Sequence, residues 1–278
     1  MSVQIILDST ADTIPALRDR CTIVPLTVHF GDHEYLDGIS MTHCEFYEKL
    51  VESRDLPTTS QPTPDAFAQE FQKIVDAGDQ AVVLTISSKL SGTYQSATIA
   101  AMDFPGSIYV VDTRSVTIGA GILAELALQM VNKGMSAEDI ACAISKEREN
   151  VRLVAMLDTL EYLKKGGRIS KTVAFAGELL SIKPIISIQE GEIHMLGKAR
   201  GTRQAGVQLI SQIEAAGGID HSRPVMMGYT GVSDTLLNKF IEEHPELQGD
   251  LPLRSTIIGS VIGTHAGPGA FAAAFFTK

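Results

Sequence analysis

The chain contains no tryptophan, and only three of its 278 residues are cysteine. Cys21, Cys44 and Cys142 are odd in number and lie far apart, so they match neither a disulfide framework nor the spacing of a zinc site. We therefore expect ordinary buried thiols in a reducing cytosol and no metal site.

Long hydrophobic runs are also missing. Of the two longest apolar stretches, residues 120–131 are interrupted by Glu125 and residues 266–276 are too short to span a bilayer. The first ten residues have no basic segment, and their apolar run ends at Asp8, which is unlike a signal peptide. These features predict a soluble cytoplasmic protein without stable membrane insertion.

Positive charge is scarce, because 23 lysines and arginines face 33 aspartates and glutamates and the net charge is −10. Nucleic acids require a basic surface, so the composition argues against a nucleic-acid partner. An acidic chain also gives no long-range attraction to a carboxylate or phosphate. Any anion site must therefore use local hydrogen bonds and dipoles.

The common motifs of catalysis and nucleotide binding are absent. The sequence has no G-x-x-x-x-G-K-[ST] loop, no dinucleotide fingerprint, no H-E-x-x-H and no G-x-S-x-G. Several loops nevertheless carry hydroxyls, glycine or histidine suited to binding a polar group. These residues are Thr58, Thr59, Ser60, Ser91, Gly92, Thr93 and His265.

The order of apolar segments predicts an α/β protein of two domains. Strand-like and helix-like segments alternate over residues 1–157, and the buried run Val3–Leu7 ends in polar residues, as in a doubly wound, mostly parallel sheet. We assign Thr22–Phe30 and Val151–Leu157 to this half as strands. In residues 158–278 a hairpin at 184–197, a helix at 172–181 and a strand at Val261–Thr264 indicate a mixed or antiparallel sheet. The ligand is expected in the cleft between the two domains.

The segment Ser87–Ala101, SSKLSGTYQSATIAA, is the strongest local signal for a binding site. It follows an apolar run and reads as strand, loop and helix, with Ser91 as the predicted N-cap. Gly92 lets a ligand approach the backbone, and the helix N-terminus favours an anionic or polar head group. The alternative is that Ser91 only caps the helix. The dense hydroxyls around the turn favour binding.

Seven strings, in this order, resemble the DegV family and together cover nearly the whole chain. They are DSTAD at 8–12, YLDG at 35–38, TSQP at 59–62, SSKLSGTYQSA at 87–97, VVDT at 110–113, KKGGRISK at 164–171 and THAGPGA at 264–270. The resemblance implies a Rossmann-like N-terminal domain and a C-terminal α+β domain. The chain departs from the family pattern at Thr58, because a lysine is frequent at this position in the family.

The same resemblance implies a carrier of a long-chain fatty acid such as palmitate, stearate or oleate, with no other cofactor. Such proteins present the acyl carboxylate to a separate dihydroxyacetone-kinase-like fatty acid kinase, which makes an acyl phosphate for phospholipid synthesis. By resemblance the head group meets Thr59 and Ser91, with the Gly92 backbone and His265 beside them. We also assign Ser60 and Thr93, which are close to these residues in the sequence, to the predicted ligand-binding site.

A basic segment stands out in the acidic chain: Lys164, Lys165, Arg168 and Lys171. Gly166 and Gly167 are expected to expose Arg168, whose guanidinium can bind phosphate or carboxylate in a bidentate manner. The resemblance suggests that the kinase docks here, and we assign Arg168, Lys165 and Arg203 to docking. The alternative is an ordinary solvated face.

Two other functions remain open. One is a transfer enzyme acting on acyl or phosphoryl groups of a lipid-like substrate, with Ser91 as nucleophile and His265 as base. No acid is positioned by the sequence to orient His265, so we favour a carrier without catalytic residues. The other is a module that regulates proteins through a lipid-dependent surface.

The acyl tail is expected to supply most of the affinity. About 14 methylenes at ~0.8 kcal/mol each give about 11 kcal/mol of gross burial. Candidate tail contacts are apolar residues of the second half that are equally suited to the core: Ile169, Phe175, Leu179, Leu180, Ile182 and Ile185.

Overall fold

The computed structural model describes residues 2–169, 181–250 and 253–278. Its strands are β1 (Val3–Asp8), β2 (Thr22–Val24), β3 (Thr27–Phe30), β4 (His33–Leu36), β5 (Thr58–Ser60), β6 (Gln80–Thr85), β7 (Ile108–Asp112), β8 (Val151–Met156), β9 (Ile182–Gln189), β10 (Glu192–Arg200), β11 (Met226–Tyr229), β12 (Ser255–Ile257) and β13 (Phe271–Phe276). Its α-helices are α1 (Pro15–Arg18), α2 (His43–Glu52), α3 (Pro64–Asp76), α4 (Thr93–Ala101), α5 (Thr117–Asn132), α6 (Ala137–Glu147), α7 (Glu161–Lys165), α8 (Thr202–Ala215), α9 (Thr235–Glu243) and α10 (Ser260–Ala266).

The first half contains a four-stranded parallel sheet in the order β2-β1-β6-β7. Alternate residues of β1 point to opposite faces: Leu7 joins the core formed with α5 and α6, whereas Ile6 joins the core formed with α3 and α4. Helices therefore cover both faces, as the predicted doubly wound arrangement requires. This part of the fold prediction is confirmed.

The second half contains a six-stranded mixed sheet in the order β10-β9-β8-β13-β11-β12. The predicted hairpin is present as β9 and β10, and Glu190 and Gly191 at its turn have φ values of 49° and 85°. Two positive φ values suit a primed turn, whose twist matches that of the flanking strands. The predicted mixed sheet and the two-domain α/β class are confirmed.

The strand at 151–156 corrects one expectation. We assigned it to the first half, but β8 pairs antiparallel with β9 and β13 in the six-stranded sheet. A continuous apolar strand looks the same whichever sheet receives it, so its partners depend on the tertiary fold. The division into residues 1–157 and 158–278 stays a prediction.

A third sheet was not expected from the sequence. The segment predicted as one strand at 22–30 is broken at Pro25: β2 joins the parallel sheet, whereas β3 forms a three-stranded antiparallel sheet in the order β4-β3-β5. Proline lacks the N–H that a continuous strand would donate. Strand β5 comprises Thr58, Thr59 and Ser60, which we predicted to lie in a loop.

The segment 261–264 forms part of helix α10, not the predicted strand. Short apolar runs do not distinguish strand from helix, and here the tertiary packing favours the helix. A Cβ atom at Gly263 would lie within 3 Å of the ring carbons of Phe46 and Tyr47, so glycine allows α10 to approach α2 closely. The predicted helix at 172–181 lies outside the described residues, apart from Ser181.

The cysteines are less buried than expected. Cys44 and Cys142 are exposed and Cys21 is half-buried, because composition does not show which face of a helix a small residue occupies. No group of three or more metal-ligating side chains occurs among residues 2–169, 181–250 and 253–278. In the same residues, every helix is too short or too polar to cross a bilayer.

Candidate ligand-binding site

An apolar cavity of about 300 Å³, here called the acyl cavity, lies against the six-stranded sheet. This volume is at the lower end of the range of small-molecule pockets, roughly 300–1,000 Å³. Its apolar walls come from the six-stranded sheet, from the loop that follows β6 and from α10. They include Leu153, Ala155, Ile186, Ile188, Ile193, Ala272, Ile86, Leu90, Val261, Ile262 and Ala266.

Strand alternation determines which residues of β9 face this cavity. Ile186 and Ile188 line it, whereas Ile185 points to the other side of the sheet and is fully buried against α8. Of the two alternatives left open for Ile185, the structure therefore favours a core residue, and neither Ile169 nor Ile182 lines the cavity. The other three tail candidates, at 175, 179 and 180, lie outside the described residues.

Five of the six predicted head-group residues line the acyl cavity together: Thr59, Ser60, Ser91, Gly92 and His265. They come from β5, from the loop before α4 and from α10. The hydroxyl of Thr59 lies 3.1 Å from Nε2 of His265, across 206 residues of sequence. The fold thus brings these polar groups to one place on an otherwise apolar wall. Their roles in binding stay predictions.

Ser91 and Thr93 have different positions from those expected. Helix α4 begins at Thr93 with Gly92 at its N-cap, so Ser91 is not the cap residue. Its Oγ accepts the Thr93 N–H at 3.3 Å and lies 2.9 Å from Oγ1 of Thr93, a local turn that competes with capping. Thr93 is fully buried and does not line the cavity. It holds the hydroxyl of Ser91 in place.

Gln61 also lines the acyl cavity, and sequence reasoning missed it. A Cβ atom at Gly92 would lie closer than 3 Å to the Gln61 amide, which donates to Oγ of Ser96 at 3.0 Å. Glycine is therefore needed at 92 for the approach of a side chain as well as of a ligand. The TSQP string already contained the signal, because its glutamine follows the two hydroxyl residues.

The imidazole of His265 is held between β5 and α7. Its Nδ1 is buried and has no hydrogen-bond partner within the described residues, and a Cβ atom at Gly166 would overlap it. Burial, and secondarily the charge of Arg168, lowers the pKa of His265 to about 4. The ring is therefore neutral at pH 7. No carboxylate of the described residues hydrogen bonds to it.

A second cavity of about 300 Å³, here called the outer cavity, adjoins the first. Thr59, Arg168 and His265 line both cavities, so these three residues form the partition between them. The other residues around the outer cavity are Leu56, Pro57, Thr58, Tyr162, Lys165, Gly166 and Thr264. A head group at the partition would be accessible from the outer cavity.

The basic residues predicted for docking are divided between two places. Arg168 is exposed, and it donates from Nη1 to the Gly166 carbonyl at 2.6 Å and from Nε to the Leu90 carbonyl at 3.4 Å. Lys165 is exposed and also lines the outer cavity, and its Nζ pairs with Oε1 of Glu161 at 2.6 Å. Arg203 is exposed in the first turn of α8 and lines neither cavity. Docking stays a prediction for all three.

Comparisons with known proteins agree over the full length of the chain. A family model described as "Uncharacterised protein, DegV family" matches residues 2–278. A DegV domain-containing protein of Caldanaerobacter subterraneus is 35% identical over 257 residues, which cover 92% of this chain and 91% of that protein.

Two solved structures share the fold. A DegV family protein from Thermus thermophilus, whose structure is described as showing fatty acid binding, is 33% identical with a TM-score of 0.88 over 99% of this chain and 100% of its own. A stearic acid-binding protein from Eubacterium ventriosum is 28% identical with a TM-score of 0.87 over 99% of this chain and 98% of its own.

Proposed function

Because this chain belongs to the DegV family, we propose that it binds a long-chain fatty acid in the acyl cavity. One observation carries the proposal: a cavity with apolar walls has neutral hydrogen-bonding groups, Thr59, Ser91 and His265, gathered on one part of its surface. The Thermus and Eubacterium proteins, described as binding fatty acid and stearic acid, support the same ligand class.

The physical chemistry of the cavity suits such a ligand. Burying a palmitate tail contributes about 11 kcal/mol of gross free energy at ~0.8 kcal/mol per methylene, before association costs. The carboxylate then needs only a few donors to offset its desolvation. The hydroxyls of Thr59 and Ser91, which line the cavity together, are suited to that role. The free energy of binding thus comes from the tail and the orientation from the head.

The outer cavity suggests how the head group is used. We propose that a separate kinase-like subunit reaches the carboxylate through it. A carboxylate oxygen then forms a bond to the γ-phosphorus of a nucleoside triphosphate held by that subunit, while the bond from this phosphorus to the departing nucleoside diphosphate breaks. The product is an acyl phosphate. Arg168 and Lys165, at the rim, supply positive charge for this encounter.

The alternative of a Ser91–His265 transfer enzyme has less support. Oγ of Ser91 hydrogen bonds to Thr93, whereas Nε2 of His265 bonds to Thr59, so nucleophile and base are not paired. A histidine with a pKa of about 4 is also a weak general base at neutral pH.

We expect the Thr59→Val and Ser91→Ala double variant to weaken palmitate binding. Each lost hydrogen bond to the carboxylate costs on the order of 1 to 3 kcal/mol, so the dissociation constant should rise by roughly 30-fold or more. Titration with a fluorescent fatty acid and native mass spectrometry measure this change. Ser88→Ala, an exposed hydroxyl of the same loop that lines neither cavity, is the control. Equal affinity in the double variant would contradict the head-group assignment.

We expect Arg168→Ala to lower phosphorylation of bound palmitate by the kinase subunit more than it lowers palmitate affinity. The reason is that the exposed guanidinium faces the outer cavity, where the partner would approach. Single-turnover phosphorylation of preloaded protein, beside a binding titration, separates the two effects. Lys133→Ala is the control, because it removes an exposed cation at the far end of α5, about 24 Å along the helix from Thr117. An equal loss in both measurements would show that Arg168 acts only on the ligand.

A further inference from the structure

Two buried aspartates hold the beginning of helix α10. Oδ1 of Asp12 accepts the N–H of Gly259 at 3.0 Å, and Oδ1 of Asp37 accepts the N–H of Ser260 at 3.0 Å. These contacts span 247 and 223 residues of sequence, and both aspartates are at most 2% exposed. A buried carboxylate is costly unless its partners compensate, so these two are expected to have a specific role.

Asp12 also binds a second element of the cavity wall. Its Oδ2 accepts the hydroxyl of Thr117 at 2.5 Å, and Thr117 lines the acyl cavity at the first residue of α5. Thr117 has a φ of 48°, which is unfavourable for a β-branched residue and persists only where the surroundings hold it. One carboxylate thus connects the starts of two helices that border the ligand site.

Helix α10 depends on such contacts for its position. It has seven residues, and a helix of this length has little stability of its own. Its residues Val261, Ile262 and His265 line the acyl cavity. A shift of its first turn would therefore move the cavity wall and the imidazole that bonds to Thr59.

We propose that Asp12 and Asp37, here called the carboxylate pair, are positioning residues: they fix the first turn of α10 so that His265 reaches Thr59 beside the head group. This inference rests on the proposed fatty acid site but assigns residues outside it. The pair contacts no cavity directly; it acts through the Gly259 and Ser260 amides and through Thr117.

The charge of Asp12 makes this inference testable. The groups that act on it from the surrounding elements are Asp37, Arg18, Tyr47 and the Thr117 hydroxyl, with His43 beside Asp37. Burial is the largest effect and raises the pKa of Asp12 to about 7, and the negative charge of Asp37 raises it further, whereas Thr117 and Arg18 lower it. An ionised carboxylate is a stronger acceptor than a protonated one, so the hydrogen bond to Gly259 should change near neutral pH.

The test follows two resonances by NMR in palmitate-loaded protein between pH 5 and 9: the Gly259 amide and the Cε1–H of His265. We expect both to shift with one midpoint near pH 7, well above the midpoint of His265 itself. Asp12→Asn should abolish this shift and release palmitate about tenfold faster, because the amide has one acceptor oxygen where the carboxylate accepts from both Gly259 and Thr117. Asp103→Asn, an exposed carboxylate that lines neither cavity, should behave as the unsubstituted protein.

A second variant keeps the test decisive if Asp12→Asn does not fold. Thr117→Val removes the hydroxyl that lowers the Asp12 pKa, so the midpoint of the Gly259 shift should move upward. The inference is overturned if the His265 resonance does not follow the Gly259 titration, or if palmitate release is unchanged in both variants. If the unsubstituted protein binds no palmitate at any pH, the proposed function fails instead.

Discussion

Ala272→Phe is expected to empty the acyl cavity of lipid and leave the protein folded, whereas Ala273→Phe is expected to destabilise it. The two alanines are neighbours on β13, and their side chains point to opposite faces of the sheet. Ala272 pairs with Ala155 on β8, and both line the cavity, so a phenyl ring at 272 has space to occupy. That ring would fill the space that the acyl tail requires.

Ala273 has no comparable space. It is fully buried in the core formed with α8 and α9, near Leu209 and Phe240. Adding a phenyl group to a close-packed site costs typically 1–3 kcal/mol and sometimes more. The two variants make the same chemical change at adjacent positions, so any difference between them reports the cavity.

Native mass spectrometry of undelipidated protein and thermal unfolding measure both outcomes. Ala272→Phe should lose the bound fatty acid and melt within a few degrees of the delipidated unsubstituted protein, because a bound ligand itself raises the melting temperature. Ala273→Phe should keep whatever lipid its folded fraction carries and melt earlier, by roughly 2–4 °C for each kcal/mol in a chain of this size. A stoichiometric lipid in Ala272→Phe would place the tail somewhere other than this cavity.

The free energy of unfolding of the unsubstituted protein is expected to fall as pH rises, and the Asp12→Asn variant is expected to lack this fall. Burial raises the Asp12 pKa from 3.8 to about 7, so between these values the folded state binds more protons than the unfolded state. The contribution of Asp12 to stability is therefore fully present below pH 3.8 and is lost as pH rises through 7. At 1.36 kcal/mol per pKa unit, the whole change amounts to about 4 kcal/mol.

Urea unfolding at several pH values between 4.5 and 8 measures this effect as the difference between the two proteins. The difference is needed because His265, whose pKa is lowered from 6.5 to about 4, has the opposite effect on stability. Its stabilising contribution is present above pH 6.5 and is lost as pH falls towards 4. Asp8, whose pKa burial also raises, is present in both proteins and cancels. A pH-independent difference would mean that Asp12 is ionised normally in the folded state.

Local patterns in the sequence predicted the elements that depend on nearby residues. The apolar run of β1 followed by polar residues and the hairpin around Gly191 follow from side-chain periodicity and turn chemistry, which act over a few residues. The hydroxyl-rich loop after β6 was likewise predicted to bind a ligand, and in the structure it lines the acyl cavity. The joint order of seven short strings placed the chain in its family.

Tertiary contacts decided the rest. Strand β8 pairs with β9 and β13 in the six-stranded sheet, and its own apolar sequence does not specify these partners. Residues 261–264 belong to helix α10, although a short apolar run fits a strand equally well. Within β9 the neighbouring residues Ile185 and Ile186 have different surroundings: Ile185 is buried in the core, whereas Ile186 lines the cavity.

The site itself shows the same division. The sequence by itself determined which chemical groups are available: hydroxyls, the imidazole of His265 and a basic segment in an acidic chain. Only the folded structure brings Thr59 to His265 and Asp12 to Gly259, across 206 and 247 residues. The physical reason is that these contacts depend on how sheets and helices pack against one another, and no local pattern of residues carries that information.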